Sequence, residues 1–141
     1  MTPRTHEIEL RVRYGETDQM GVVHHANYLA YLEEGRTSMM ADAGASYGEL
    51  EKGGIGLPVR RVEIRYRASA RYEERLRVET RVLDLRAASV RFGYRVSRAE
   101  DGLLLVTAET ELACVDLRSP ERKVVPLPET LRAVLESWVG D

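Results

Sequence analysis

Residues 13–28 read RYGETDQMGVVHHANY, and side chains able to do chemistry crowd into them. Asp18 is a carboxylate, and His24 and His25 are two of the three histidines in the chain. Gln19 is the only glutamine and Asn27 the only asparagine. A carboxylate beside imidazoles is the equipment of general acid–base and nucleophilic chemistry. The same residues have quieter uses. An Asp ahead of a helix commonly caps it or forms a turn, and amides satisfy loop and cap backbone groups. Asn27 is read in that second way, as capping a helix or bonding the Asp18 loop. Metal binding is not expected, because adjacent imidazoles rarely converge on one ion and no Cys or His cluster completes a set.

These residues need elements to place them. In EIELRVRY, Ile8, Leu10, Val12 and Tyr14 alternate with Glu9, Arg11 and Arg13, which predicts a half-buried strand. Gly15 and Gly21 punctuate the loop that follows. Across residues 26–43, Leu29, Leu32, Arg36, Met39, Met40 and Ala43 recur at helical spacing, and Tyr28 and Tyr31 widen the apolar side. So broad an apolar surface predicts a mostly enclosed helix, with Gly44 as its C-terminal cap. A short helical turn is expected at SYGELEKG. From residue 57 the pattern turns to β: LPVRRVEIRYRA, RLRVETRVLDLR, SVRFGYRVSR and LLLVTAETELACVDL, with Asp101-Gly102 marking a hairpin. PETLRAVLESW closes as a helix with Pro128 in its first turn.

The predicted order is a strand, a long helix, four strands in a meander and a short helix. This is an α+β domain filling residues 1–141, with one enclosed helix against a long antiparallel sheet. A sheet of five strands leaves open edges, and pairing across a twofold axis protects them, so at least a homodimer is expected. A net charge of −2 argues against nucleic-acid binding. The longest aliphatic run, LLLV at 103–106, is too short to span a bilayer, and MTPRTHEIEL lacks an apolar signal core. A cytoplasmic protein is expected, with Cys114 a buried structural thiol.

The opening stretch and this order of elements resemble the hot-dog fold, specifically the 4-hydroxybenzoyl-CoA thioesterase family of acyl-CoA thioesterases. The family signature is met at Arg11, Val12, Thr17, Asp18, Gly21, Val22, Val23, His25 and Tyr28. The resemblance implies hydrolysis of acyl-CoA to a free acid and CoA, with coenzyme A entering as part of the substrate and no cofactor. It also implies that Asp18 attacks the thioester carbonyl or activates water. A backbone N–H near His25, at the start of the helix, would polarise that carbonyl. The His25 side chain would hold the substrate or orient Asp18. Gly21, Val23, Asn27, Tyr28 and Glu33 would border the substrate. Arg86, Arg122 and Lys123 would meet the CoA phosphates. The chain departs from members acting on aromatic thioesters at Ala87-Ala88, where those members are more basic.

Three other readings compete. Another branch of hot-dog thioesterases uses a helix carboxylate, which makes Glu33 and Glu34 rivals to Asp18. A hydratase of this fold needs a His and a carboxylate later in the chain, and no such pair follows residue 25. A non-catalytic acyl-CoA-binding module is the remaining alternative. The acyl group, and the choice between homodimer and homotetramer, stay open.

Overall fold

The computed structural model describes residues 4–139; the single-domain expectation for 1–141 therefore includes residues 1–3 and 140–141, which lie outside the described residues. Strand β1 (His6–Arg11) is followed by a 3-10 turn at Tyr14–Glu16 and by helices α1 (Asn27–Asp42) and α2 (Tyr47–Lys52). The strands then run β2 (Ile55–Gly56), β3 (Val59–Tyr66), β4 (Arg75–Leu85), β5 (Ser89–Arg98), β6 (Leu104–Ala113) and β7 (Val115–Asp116). Helix α3 (Glu129–Glu136) closes the order.

Five strands form one antiparallel sheet in the order β1-β4-β5-β6-β3, and β2 pairs with β7 beside it. The α+β expectation holds: α1 lies across β4 and β1. The alternation read in β5 places Val90, Phe92, Tyr94 and Val96 in the core, all at most 3% exposed. The opposite sheet face is charged, with cross-strand pairs such as Arg91–Glu109 at 3.2 Å and Arg77–Glu7 at 3.4 Å. Much of the arginine content is spent on that solvated face. Asp101-Gly102 forms the expected β5–β6 hairpin, with Gly102 at φ +77° and the Arg98 guanidinium clamping the Asp101 carboxylate.

Helix α1 approaches the sheet closely at Gly35, where a Cβ would stand 2.6 Å from Thr80 Oγ1 and 2.9 Å from Val78 Cγ1. Arg36, only 6% exposed, is enclosed nearby and donates to the Tyr47 hydroxyl at 3.2 Å. The helix ends as read: Gly44, at φ +88°, follows the C-cap, and the Ala45 N–H reaches back to the Met40 carbonyl at 2.8 Å.

Three expectations need correction. Leu29 is 45% exposed, because α1 keeps one flank, with Glu33 and Glu34, open to solvent. Tyr14 is 76% exposed: the 3-10 turn ends the alternation of β1 and swings the ring out, edge-on to Tyr72 at 5.5 Å. The four-strand meander is a three-strand one, β4-β5-β6, and β3 pairs with β6 on the far edge. Residues 67–74 therefore cross the end of the sheet. They are tied down on the way, by Val23 N–H to the Ala70 carbonyl (2.8 Å), Ala70 N–H to the Tyr28 hydroxyl (3.2 Å) and Glu73 N–H to the Val12 carbonyl (3.1 Å). That crossing carries the chain over the N-terminal end of α1.

Candidate active site

Residues 17–23 fold back as a tight antiparallel loop, with Thr17 bridged to Val23 and the Asp18 N–H bonded to the Val22 carbonyl at 2.9 Å. Gly21 makes the reversal possible at φ +79°, a conformation that a side chain disfavours. Val22 is bridged in turn to Arg71 of the crossing segment, so the loop is held from both sides.

Asp18 is half-buried and uses one carboxylate oxygen for the loop itself. Its Oδ1 accepts the N–H of Met20 at 2.9 Å and of Val22 at 3.4 Å. Its Oδ2 takes no hydrogen bond among the described residues. The turn-forming use of an Asp and a chemical use thus coexist in one side chain. Asp18 lines a cleft of about 560 Å3 with Tyr14, Gly15, Gln19, Gly21 and Tyr72. That gives Gln19, which had no assigned role, a place on the wall.

The start of α1 is closed by short-range bonds. The N–H groups of Asn27, Tyr28 and Leu29 go to the carbonyls of His24, His25 and Ala26, and the Ala26 N–H goes to His24 Nδ1 at 3.3 Å. The exposed His24 therefore does local capping work. The N–H of His25 donates no hydrogen bond among the described residues, which leaves it the free donor at this positive helix end. The His25 ring is exposed. It lies 4.4 Å from the His24 ring and 6.2 Å, edge-on, from Tyr66, and it makes no hydrogen bond to Asp18. The Tyr66 hydroxyl, at the end of β3, donates to the His25 carbonyl at 3.3 Å.

Asn27 is not the N-cap, which is Ala26; its Nδ2 donates to the Glu16 carbonyl at 2.8 Å, bonding the strand of the Asp18 loop to the helix. The His24 N–H reaches the same carbonyl at 2.9 Å. Val23 and Tyr28 are 5% and 2% exposed, so they back the site from within the core rather than face a ligand in this chain. Glu33 is exposed and stands 3.7 Å from Arg36. With Glu34 it lines a different cleft of about 380 Å3, shared with Glu16 and Tyr31.

The three basic residues assigned to coenzyme A do not join Asp18. Arg11, just before the loop, pairs with Arg75 at one end of β4, whereas Arg86 follows the other end. The 11 residues of β4, at about 3.3 Å each, separate the two by roughly 36 Å. Arg86 stands 3.7 Å from Asp84, and its carbonyl accepts from Arg132. Arg122 donates to the Leu117 and Ser119 carbonyls of its own loop, and Lys123 lies beside β7 at that same far end.

Sequence reasoning passed over Glu16. Its Oε1 accepts the Tyr31 hydroxyl at 2.9 Å and the Arg13 N–H at 2.8 Å, and its Oε2 meets the Arg13 guanidinium. Burial pushes its pKa up, but those hydrogen bonds and the Arg13 charge outweigh burial and hold it below the usual carboxylate range. Tyr31 is driven the other way, by burial first and then by the Glu16 carboxylate, well above the ordinary range of a phenol. The only local signal was the Arg13–Glu16 spacing; the Tyr31 contact needs the fold.

A carboxylate with one unbonded oxygen lining a cleft, on a loop that leads into a helix start with one uncommitted N–H, suits attack on a carbonyl whose oxygen gains negative charge. Known proteins point to the same chemistry. Residues 12–135 match the model of the thioesterase-like superfamily. YneP of Bacillus subtilis (strain 168) is 40% identical over 111 residues, covering 79% of this chain and 80% of that one. Acyl-CoA thioester hydrolase YbgC of Escherichia coli O6:H1 is 34% identical over 117 residues, covering 83% and 87%. Among solved structures, Slr0204 of Synechocystis, a 1,4-dihydroxy-2-naphthoyl-CoA thioesterase, superposes with a TM-score of 0.85 at 29% identity, covering 94% and 96%.

Proposed function

From the fact that the chain belongs to the thioesterase-like superfamily and has its hot-dog fold, we propose that it hydrolyses acyl-CoA thioesters to a carboxylic acid and coenzyme A. The observation that carries the reading is the half-engaged Asp18, which lines a cleft with Oδ1 bonded into its loop and Oδ2 free of hydrogen bonds among the described residues. In the overall reaction a water oxygen ends on the acyl carbon, the C–S bond breaks, and a proton goes to the departing sulfur. The uncommitted His25 N–H donates a hydrogen bond to the carbonyl oxygen as negative charge develops on it, helped by the partial positive charge of the helix end. The Asp18 carboxylate serves by either of two routes, direct attack to a mixed anhydride that water then cleaves, or removal of a proton from the attacking water. Neither route calls for a metal or cofactor; coenzyme A arrives as part of the substrate.

Self-association belongs to this reading. Strand β3 is an open edge, and along it Val59, Val62 and Tyr66 are 39%, 41% and 49% exposed. A twofold axis across that edge reverses the partner's sheet. The end of the partner's sheet that carries Arg86, Arg122 and Lys123 then lies at the same end of the joined sheet as Asp18, where those cations could meet the CoA phosphates. A cytoplasmic setting suits a chain whose one cysteine is a buried free thiol.

The test is thiol release from a panel of acyl-CoAs, from acetyl to long-chain and aromatic. The reading expects turnover of at least one of them well above the rate without enzyme. Tight binding of CoA esters with no release from any would instead fit a binding module.

A further inference from the structure

Glu16 lies in the gap of the family signature and does not line the Asp18 cleft, yet it ties together the parts that must meet there. Its side chain, 14% exposed, reaches Tyr31 in the second turn of α1, and its backbone carbonyl accepts both His24 N–H and Asn27 Nδ2. It therefore bonds to the segment that delivers the His25 N–H and stands two residues before Asp18. Both side-chain oxygens are already committed, to Tyr31 and to Arg13. That suits holding a geometry rather than attacking a thioester.

We propose that Glu16, braced by the Tyr31 hydroxyl, is a positioning residue that fixes the separation between the Asp18 carboxylate and the His25 N–H. The inference rests on the hydrolytic reading above. Acyl transfer needs nucleophile and oxyanion donor placed within a fraction of an ångström, and a shift of about 1 Å costs on the order of a hundredfold in rate. The loop after Glu16 has its own bonds, but those are internal to it, run back to the Tyr14 carbonyl, or run to residues 70–71. Tyr31, 3% exposed in the core, gives the Glu16 side chain a second anchor on α1, beside the Asn27 bond to its carbonyl. The Arg13 and Tyr31 hydrogen bonds favour the ionised form of Glu16.

The experiment compares kcat, KM and Tm for wild type, Glu16→Ala, Glu16→Gln, Tyr31→Phe, the Glu16→Ala/Tyr31→Phe double variant and Asp18→Asn, on whichever acyl-CoA turns over best. Glu16→Ala and Tyr31→Phe are each expected to cut kcat about tenfold or more with KM within threefold. Glu16→Gln, which still accepts from Tyr31, recovers most of the loss. The double variant is no slower than the slower single one, because both remove one brace. Tyr31→Phe keeps the ring in place, so a folding defect in Glu16→Ala does not obscure the answer. If Tyr31→Phe and Glu16→Ala both keep kcat within twofold while Asp18→Asn abolishes it, the brace is overturned and the hydrolytic reading stands. If wild type releases thiol from no acyl-CoA, the hydrolytic reading fails and the brace with it.

Discussion

At the scale of single residues, the site depends on how Asp18 divides its two oxygens. One accepts from the backbone of its own loop, which holds the side chain still; the other takes no hydrogen bond among the described residues. Gly21 is the hinge of that arrangement. An added Cβ there would meet only Arg71 Nη1, at 4.0 Å, so Gly21→Ala carries no clash and its cost comes from the left-handed backbone alone. We expect a loss of about 1–2 kcal/mol in urea denaturation, together with a drop in kcat larger than the drop in stability explains. The turn at Asp18 and Gly21 and the helix start just after His25 were legible in the sequence because their types and spacing are local. Glu16 was not, because its meaning depends on a tyrosine that the helix brings back to it. Arg86, Arg122 and Lys123 were read by position along the chain, which says nothing about which end of a sheet a residue occupies.

At the scale of elements, α1 and the 67–74 crossing build the site together. Gly35 lets the helix sit down on β4. Gly35→Ala would gain up to about 1 kcal/mol of helix propensity, but the new methyl group would press on Thr80 Oγ1 and Val78 Cγ1. Overpacking of that kind costs about 1–3 kcal/mol, so we expect net destabilisation, seen as a lower urea midpoint at unchanged slope. The strands were legible from alternation, and β5 matches its predicted bounds at Ser89–Arg98. Pairing was not legible. Alternation tells which face of a strand is buried, not which strand lies beside it, so β3 was placed next to β4 when it closes the other edge against β6. The crossing that follows from the true order is what covers the helix start, so the error in topology and the missed ties to Ala70 and Arg71 have one cause.

At the scale of the whole molecule, the open β3 edge and the charge balance make two predictions. Val62→Lys should weaken pairing along that edge. Sedimentation should show wild type as a dimer or larger and the variant shifted toward monomer, with activity falling in parallel. The second concerns acid. Asp101 is held at about 2 by the Arg98 guanidinium, with Glu16 and Glu111 also below the usual carboxylate range. For Glu111 the Arg60 hydrogen bond is the largest cause. A carboxylate whose folded pKa is depressed stabilises the fold above its unfolded pKa and loses that contribution as pH falls through the folded one. Tm should therefore stay level down to roughly pH 5 and fall steadily toward pH 2. Asp101→Asn should flatten the lowest part of that fall, although an exposed pair moves it only slightly.

The most direct measurement is turnover by Asp18→Asn beside its affinity for the unreacted thioester. The substitution keeps shape and one hydrogen-bond acceptor while removing the charge and the nucleophile. The account predicts a fall in kcat of about a thousandfold or more, with substrate affinity within threefold of wild type and Tm nearly unchanged. Turnover within tenfold of wild type would contradict it and move the chemistry to the Glu33 and Glu34 flank of α1.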